Sequence, residues 1–509
     1  MLCACFNPDS PGDLPASEAS SAGPSVTSSV DPDTDAPTGT SPETSPPPDT
    51  STGDPSSAGV TGTPSTGDAA SETDDTSSIE DTTGGPTSCG GSATPDNFCI
   101  DQDPEHPYCE PNSGLCVACL DDLDCPVSQV CDPDGFACVG CVDDDDCTDP
   151  DAPACDPETL ACGCYEHSDC PQTACDLANK TCFPAAQTAV VWSSSAVGPL
   201  CRVDNQCTET DPCCNLTAAY TQAVMSDKEY IVIRVLPGTA GVHDTLTVDD
   251  LAADKHVAIL GWPEATLESN TGGAPLIFVD ALAHVYVARL TLKALAPSTA
   301  GAGFSCVAGL SAWIDDVTVE PLTTGVGLYA NACELQARRS LIRGAKRGLW
   351  LAGGADAKIF NTIVAHPIEY AVRSEKDADV ELVFSTVVES TGVPGSLLQC
   401  EDLGSTIVAR NSLLFAVPDN GSSACPGSLA TNSLVTYDPL VGPGTTSLTS
   451  AAAENLFIAF DAGDLHVKPG APLVSSTAIR EAGDPWTDID GDPRPLAVGA
   501  MDWAGADVP

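Results

Sequence analysis

Tyr230-Ile231-Val232-Ile233-Arg234-Val235-Leu236-Pro237-Gly238, followed by Leu246-Thr247-Val248 and His256-Val257-Ala258-Ile259-Leu260-Gly261, is the stretch that decides the fold. Each run is short, rich in β-branched residues and closed by Gly, Pro or Asp, which is the pattern of strands rather than helices. Val285-Tyr286-Val287 continues the series. Farther along, Asp316-Val317-Thr318-Val319, Ser340-Leu341-Ile342-Arg343, Thr362-Ile363-Val364-Ala365, Thr386-Val387-Val388-Glu389, Ser412-Leu413-Leu414-Phe415 and Ser433-Leu434-Val435-Thr436 superimpose at offsets of 24, 22, 24, 26 and 21 residues. A second strand tracks the first through Gly327-Leu328-Tyr329, Gly348-Leu349-Trp350 and Tyr370-Ala371-Val372. Short strands recurring at this period with no helix between them predict that each repeat is one coil of a solenoid. Asn361, Asn411 and Asn432 precede equivalent strands, so an asparagine ladder is expected down one corner.

With these residues in view, the stretch 230–261 resembles the opening coils of pectate-lyase-like right-handed parallel β-helix proteins. Cys207 to Met225 is similar to their N-terminal capping helix, and residues 488–503 (DIDGDPRPLAVGAMDW) resemble the closing segment of bacterial surface β-helices. Ala240 and the Met501-Asp502-Trp503 ending depart from the usual pattern. The resemblance covers residues 186–509 and implies a mainly β fold, a right-handed parallel β-helix.

The rest of the chain is different material. The 509 residues carry 19 Lys+Arg against 73 Asp+Glu, a net charge of -54, with 26 Cys, 43 Gly and 43 Pro. A pI near 4.1 excludes nucleic acid as a partner, because such binding needs clustered Lys and Arg. Residues 1–185 hold 36 acidic side chains and a single basic one, Lys180. Within them, residues 7–88 are mostly Ser, Thr, Pro, Gly, Asp and Ala. Such a stretch cannot offset the ~1–2 kcal/mol per residue of backbone entropy lost on folding, and is expected to be an extended, disordered stalk. Leu2-Cys3-Ala4-Cys5, within residues 1–6, resembles the end of a bacterial lipoprotein signal and makes Cys5 the expected lipidation site. That lipid is the only membrane attachment expected, since no apolar run approaches the ~18 residues of a spanning helix.

From Cys89 to Cys182 the chain carries 16 cysteines, in a module placed at residues 89–185. Cys109, Cys116, Cys119 and Cys125 recur as Cys131, Cys138, Cys141 and Cys147, then as Cys155, Cys162, Cys164 and Cys170. Cys116-x2-Cys119 with Cys138-x2-Cys141 has zinc-ribbon spacing. The even count and the scarcity of large apolar residues instead favour disulfides, as in small secreted domains, with the connectivity left open. The repeats resemble Dickkopf N-terminal cysteine-rich domains. The acidic run Asp143-Asp144-Asp145-Asp146 is a candidate Ca²⁺ ligand set, but no such spacing recurs in every unit, so a solvated acidic face is the simpler expectation. No other cofactor is expected.

Arg338, Arg339, Arg343, Lys346, Arg347, Arg373 and Lys376 form the one basic concentration, near Glu375, Asp377, Asp379 and Glu381. The β-helix resemblance implies that Arg343 and Arg373 would be the proton-abstracting residues of a Ca²⁺-dependent polysaccharide lyase. Against this, no Asp pair recurs on consecutive coils in the way a lyase metal site needs, the seven His are scattered among different coils with none near a Ser or Cys nucleophile, and mixed charge is usual on a solvated face. Asp488-x-Asp490-x-Asp492 begins like an EF-hand loop, but Gly499 stands where its closing Glu belongs. Cys306 and Cys333 lie one coil apart, a spacing suited to a staple between neighbours. The expectation is a monomeric, extracellular or cell-surface protein, anchored at an outer membrane if Cys5 is lipidated. It presents its β-helical face to a glycan, such as a polysaccharide or surface glycan, or to a partner on another surface; a Ca²⁺-dependent polysaccharide lyase or other carbohydrate-active enzyme is the alternative.

Overall fold

The computed structural model describes residue 89 and residues 95–194, 206–237, 245–269, 273–294, 301–320, 324–389, 396–416, 425–436, 440–471 and 474–509. Cys5 and the stalk lie outside the described residues. So does Cys201. No helix among the described residues is long and apolar enough to cross a membrane.

From Thr188 to Ser447 the chain is a parallel β-solenoid whose strands form three sheets. The front sheet runs from Thr188–Ser194 and Tyr230–Leu236 through the first halves of His256–Ser269, His284–Ala294 and Ser311–Val319, and on to Glu334–Arg338, Asp356–Phe360, Asp379–Val383 and Thr406–Arg410. The side sheet begins in the second halves of the same long strands and continues through Leu341–Arg343, Ile363–Ala365, Thr386–Val388 and Leu413–Phe415. The back sheet has seven strands, from Leu246–Val248 to Ser396–Cys400. Inward residues of the front sheet pair in register, as in Ile233–Ile259–Val287–Ile314–Ala337–Ile359–Leu382. All of these are buried, so stacking removes from water an apolar face that one coil alone would expose. Gly327 and Gly348 of the back sheet are required by close approach: a Cβ on Gly348 would lie 2.4 Å from the Ala371 carbonyl oxygen and from Val364 Cγ1. The helix Leu216–Val224 packs against the first strands, with Asn215 capping it through the Ala218 amide (2.7 Å).

The front and side sheets meet at a corner where one residue per coil turns left-handed: Arg289, Asp316, Arg339, Asn361, Phe384, Asn411 and Asn432, with φ between 43° and 55°. Asparagine tolerates this conformation best, which accounts for three of the seven. Phe384 interrupts the series, and the ladder is built instead by the buried hydroxyls that follow. Ser412 Oγ accepts from the Ser385 amide (3.1 Å) and Ser433 Oγ from the Ser412 amide (3.0 Å). Asn361 and Asn411 turn outward to hold the C-terminal segment, Asn361 through the Thr487 carbonyl (2.5 Å) and Asn411 through the Ile479 carbonyl (2.9 Å) and amide (3.1 Å).

The register also corrects the sequence alignment. Ile363 pairs with Thr386 and Thr386 with Leu413, so Thr362, Ser385 and Ser412 are equivalent, and the expected offsets of 24 and 26 are 23 and 27. Thr318 pairs with Leu341, which makes the first offset 23 as well. In the back sheet Trp350 pairs with Arg373, so Gly348 matches Ala371 rather than Tyr370. The slip went unseen because the side sheet is apolar on both faces: Ile363, Ala365, Val388, Leu413 and Phe415 point outward into a second core with Phe457, Phe460, Leu465, Val467 and Val474. Residues 488–503 belong to this covering segment. They fold back over the side sheet, rather than adding a coil, and Arg494 reaches Asn361 Oδ1 (3.3 Å) and the Gly505 carbonyl (2.8 Å).

Candidate functional site

Every described cysteine of the 89–182 region is paired. The connectivity is first to third and second to fourth in four successive units: Cys89–Cys109 with Cys99–Cys116, Cys119–Cys131 with Cys125–Cys138, Cys141–Cys155 with Cys147–Cys162, and Cys164–Cys175 with Cys170–Cys182. The repeat is thus phased ten residues later than its first reading: Cys109 and Cys116 close one unit and Cys119 opens the next. The two cysteines of each apparent C-x2-C pair belong to different units, which leaves no zinc-ribbon site there. Cys306–Cys333 and Cys400–Cys425 staple the solenoid.

The acidic runs have a local task. Asp143 caps a short 3-10 turn by accepting from the Asp145 amide (3.0 Å), Asp146 accepts from the amides of Val142 (2.8 Å) and Asp143 (3.2 Å), and Asp144 Oδ1 accepts from Cys155 (2.8 Å). Asp121, Asp124 and Asp122 repeat all three roles one unit earlier. In the last unit His167 replaces the third carboxylate, its Nδ1 facing the Cys175 amide at 3.2 Å. The D-x-x-D spacing of a capping box was the signal available in the sequence.

That last unit docks on the front sheet. Outward positions of the first coils, Val232, Ala258, Leu260, Tyr286 and Ala288, are apolar and buried under Leu177, Phe183 and the Cys164, Cys170, Cys175 and Cys182 bridges. Tyr286 donates to Asp176 (3.0 Å) and Arg234 to the Pro171 carbonyl (2.5 Å). Tyr230, His256 and His284 stack on consecutive coils at ring separations of 4.9 and 4.6 Å, and His284 Nδ1 lies 2.7 Å from Ser311 Oγ. These histidines are therefore neither scattered nor remote from a serine; strand register unites residues about 28 apart in sequence. Phe183 packs against both Tyr230 and His256.

The basic concentration separates onto three faces. Arg338 and Arg339 both bind Asp315, at 2.8 and 2.9 Å, and reach the docked unit through the Tyr165 carbonyl and Glu166 respectively. Burial opposes ionisation of Asp315, but the two guanidiniums outweigh it and hold the carboxyl well below the usual range. Arg343 lies on the side sheet, paired with Glu320 (2.9 Å). Arg373 lies on the back sheet between Trp350 and Tyr370, bound to Glu375 (2.7 Å) and Glu401. Arg343 and Arg373 therefore share no site. In the front sheet Asp356 pairs in register with Asp379, both exposed, but Thr406 follows in register, so the pair does not recur on the next coil.

Between the docked unit, the front sheet and the C-terminal segment runs a cleft, formed by two adjoining cavities of about 290 and 260 Å³ that share Glu166 and Arg339. Its walls are Tyr165 of the docked unit, Trp313 and Phe360 of the front sheet, and Trp486 of the C-terminal segment. Tyr165 meets Trp486 edge to face at 4.9 Å. Polar groups are set among the rings: Asp156, Glu158, Lys180, Gln336, Asn361 and Asp484. Burial, and then Asp156, raise the Tyr165 hydroxyl well above its ordinary value, so it stays a donor. At the far end Arg289, Asp316 and the buried His167 line the smaller cavity. Burial lowers His167 to about 3, so the ring is neutral, and its Nδ1 accepts from Cys175. The proton therefore sits on Nε2, which has no hydrogen-bond partner among the described residues. Chemically, the cleft offers ring faces for stacking and an alternation of donors and acceptors for hydroxyl groups.

Fold and site define a β-solenoid with a cysteine-rich module docked on it and an aromatic, polar cleft at the junction. Residues 122–188 match a family model described as a family of unknown function (DUF8331), which ends where the first solenoid strand begins. The chain is similar to a solved structure titled crystal structure of pectate lyase Pel9A, with a TM-score of 0.36 and 10% identity over 62% of this chain and 96% of that chain. No curated protein matches it.

Proposed function

We propose that the protein binds a glycan, without chemically altering it, at the cleft between its cysteine-rich module and its solenoid. The observation that carries this reading is the set of four rings, Tyr165, Trp313, Phe360 and Trp486, drawn from three parts of the chain around polar groups. Sugars present alternating C–H faces and hydroxyls, which match stacked rings and short polar side chains. Beyond the cleft the front sheet continues open, with Lys358 and Glu381 outward on successive strands ~4.8 Å apart, a spacing suited to an extended polymer. The protein acts outside the cell as a monomer: its paired cysteines belong to an oxidising compartment. A lipid on Cys5 anchors it, and residues 7–88 supply reach. Glycan binding in this reading uses no organic cofactor and no Ca²⁺.

The test is a panel of neutral and acidic polysaccharides incubated with the purified chain, with and without Ca²⁺. Retention should be saturable, fall at least tenfold in Trp486→Ala and Trp313→Ala, and leave no unsaturated product by ultraviolet absorbance. Turnover that is lost in Arg343→Ala or Arg373→Ala would replace binding by the lyase reading. Mass spectrometry of the mature N-terminus tests the anchor; an unmodified Cys5 removes it.

A further inference from the structure

The C-terminal segment holds a second constellation, apart from the rings of the cleft. His466, Asp490 and Asp507 come from three separate stretches, and one ligand atom of each lies within 4.8 Å of the others. His466 Nε2 is 3.2 Å from Asp490 Oδ2, while its Nδ1 is held by Asp464 Oδ1 at 2.6 Å. A carboxylate on Nδ1 fixes the tautomer and turns Nε2 outward as a ligand, the second-sphere arrangement of histidine metal sites. Asp507 is an independent sign: its residue is 4% exposed, yet among the described residues no Lys or Arg is in ion-pair range of it. A buried carboxylate is costly unless paired, hydrogen-bonded or bound to a metal, and here a single backbone bond reaches it, from the Val467 amide (2.6 Å).

The scaffold is prebuilt. Asp488, fully buried, accepts from the amides of Asp490 (2.9 Å), Asp492 (2.8 Å) and Val508 (2.8 Å), and so ties the two ligand-bearing stretches together. This gives the Asp488-x-Asp490-x-Asp492 motif a use other than an EF-hand: Asp488 is the support and Asp490 the ligand.

We propose that His466, Asp490 and Asp507 bind one divalent transition-metal ion, Zn²⁺ in the first instance, with water completing its shell. An imidazole with two carboxylates suits Zn²⁺, whereas Ca²⁺ and Mg²⁺ take oxygen ligands alone. The ion would pin the 488–492 turn, whose Ile489, Asp490 and Gly491 also line the smaller cavity.

The experiment titrates ZnCl₂ into the chelator-treated full chain, against a chromophoric competitor and by thermal melting. One saturable equivalent is expected, with a higher melting temperature and no response to CaCl₂. His466→Ala and Asp490→Ala should abolish it; Asp490 is exposed, so its variant leaves the packing intact. Asp464→Asn, which only positions the ring, should weaken binding ~10–100-fold. No saturable Zn²⁺ binding in the wild type, unchanged binding in both ligand variants, or an equal response to Ca²⁺ would each overturn the site. A thermal shift without glycan retention leaves this site standing and removes the binding function alone.

Discussion

Asp315, beneath the docked module, and His167, within it, set the chemistry of the junction. Asp315 is 3% exposed and satisfied by Arg338 and Arg339 together. Asp315→Ala leaves two partly buried guanidiniums without it, and a loss of about 3–5 kcal/mol in denaturant unfolding is expected. His167 gives a pH dependence of known sign. Its folded pKa, about 3, lies below the ordinary ~6.5 of an unfolded chain. The unfolded chain thus binds more protons between these values, and stability is complete above ~6.5 and falls with pH by up to ~1.4 kcal/mol per unit. His167→Asn keeps an acceptor for the Cys175 amide, as Asp144 does for Cys155, and removes the titration. Relative to wild type, the variant should gain stability on going from pH 7 to pH 4.5 in parallel urea titrations; a difference independent of pH would show that His167 titrates in the fold as it does in the unfolded chain.

Among elements, the corner ladder separates what the sequence discloses from what it hides. Period, strand type and core were legible from runs such as Ile231–Val235 and Val257–Leu260, because inward positions there are uniformly apolar. Register at Ser385-Thr386 was not, since two adjacent hydroxyl residues and a side sheet apolar on both faces give a one-residue slip no penalty in the pattern. Ser412 is diagnostic: its Oγ accepts from Ser385 and donates toward the Arg410 carbonyl (2.8 Å). Ser412→Ala should cost about 1–3 kcal/mol, and Thr386→Ala, which lies off the ladder, should leave the Ser385 amide protected in hydrogen exchange. Equal loss of that protection in the two variants would contradict the register. The arginines show the same limit. Arg338, Arg339, Arg343 and Arg347 are near neighbours in sequence, but a chain that turns a corner every few residues distributes them over three faces.

At the scale of the whole molecule, the cleft could not be read from sequence, because it joins residues whose separation is large. The Gly483 amide donates to Glu158 across 325 positions (3.1 Å). What the sequence did carry was an unused hint: Val232, Ala258 and Tyr286, outward on the front sheet, are apolar where a solvated strand would be polar, and so required a cover. The cysteine-rich module supplies it and brings Tyr165 to the solenoid. The central claim is that this junction is a glycan site, and the most direct measurement is intrinsic tryptophan fluorescence during titration with a retained oligosaccharide. A saturable change in the wild type, nearly absent in Trp486→Ala and preserved in Trp350→Ala on the back sheet, is the predicted result. A response that survives loss of Trp486 and disappears with Trp350 would place the ligand on the back sheet and contradict the account.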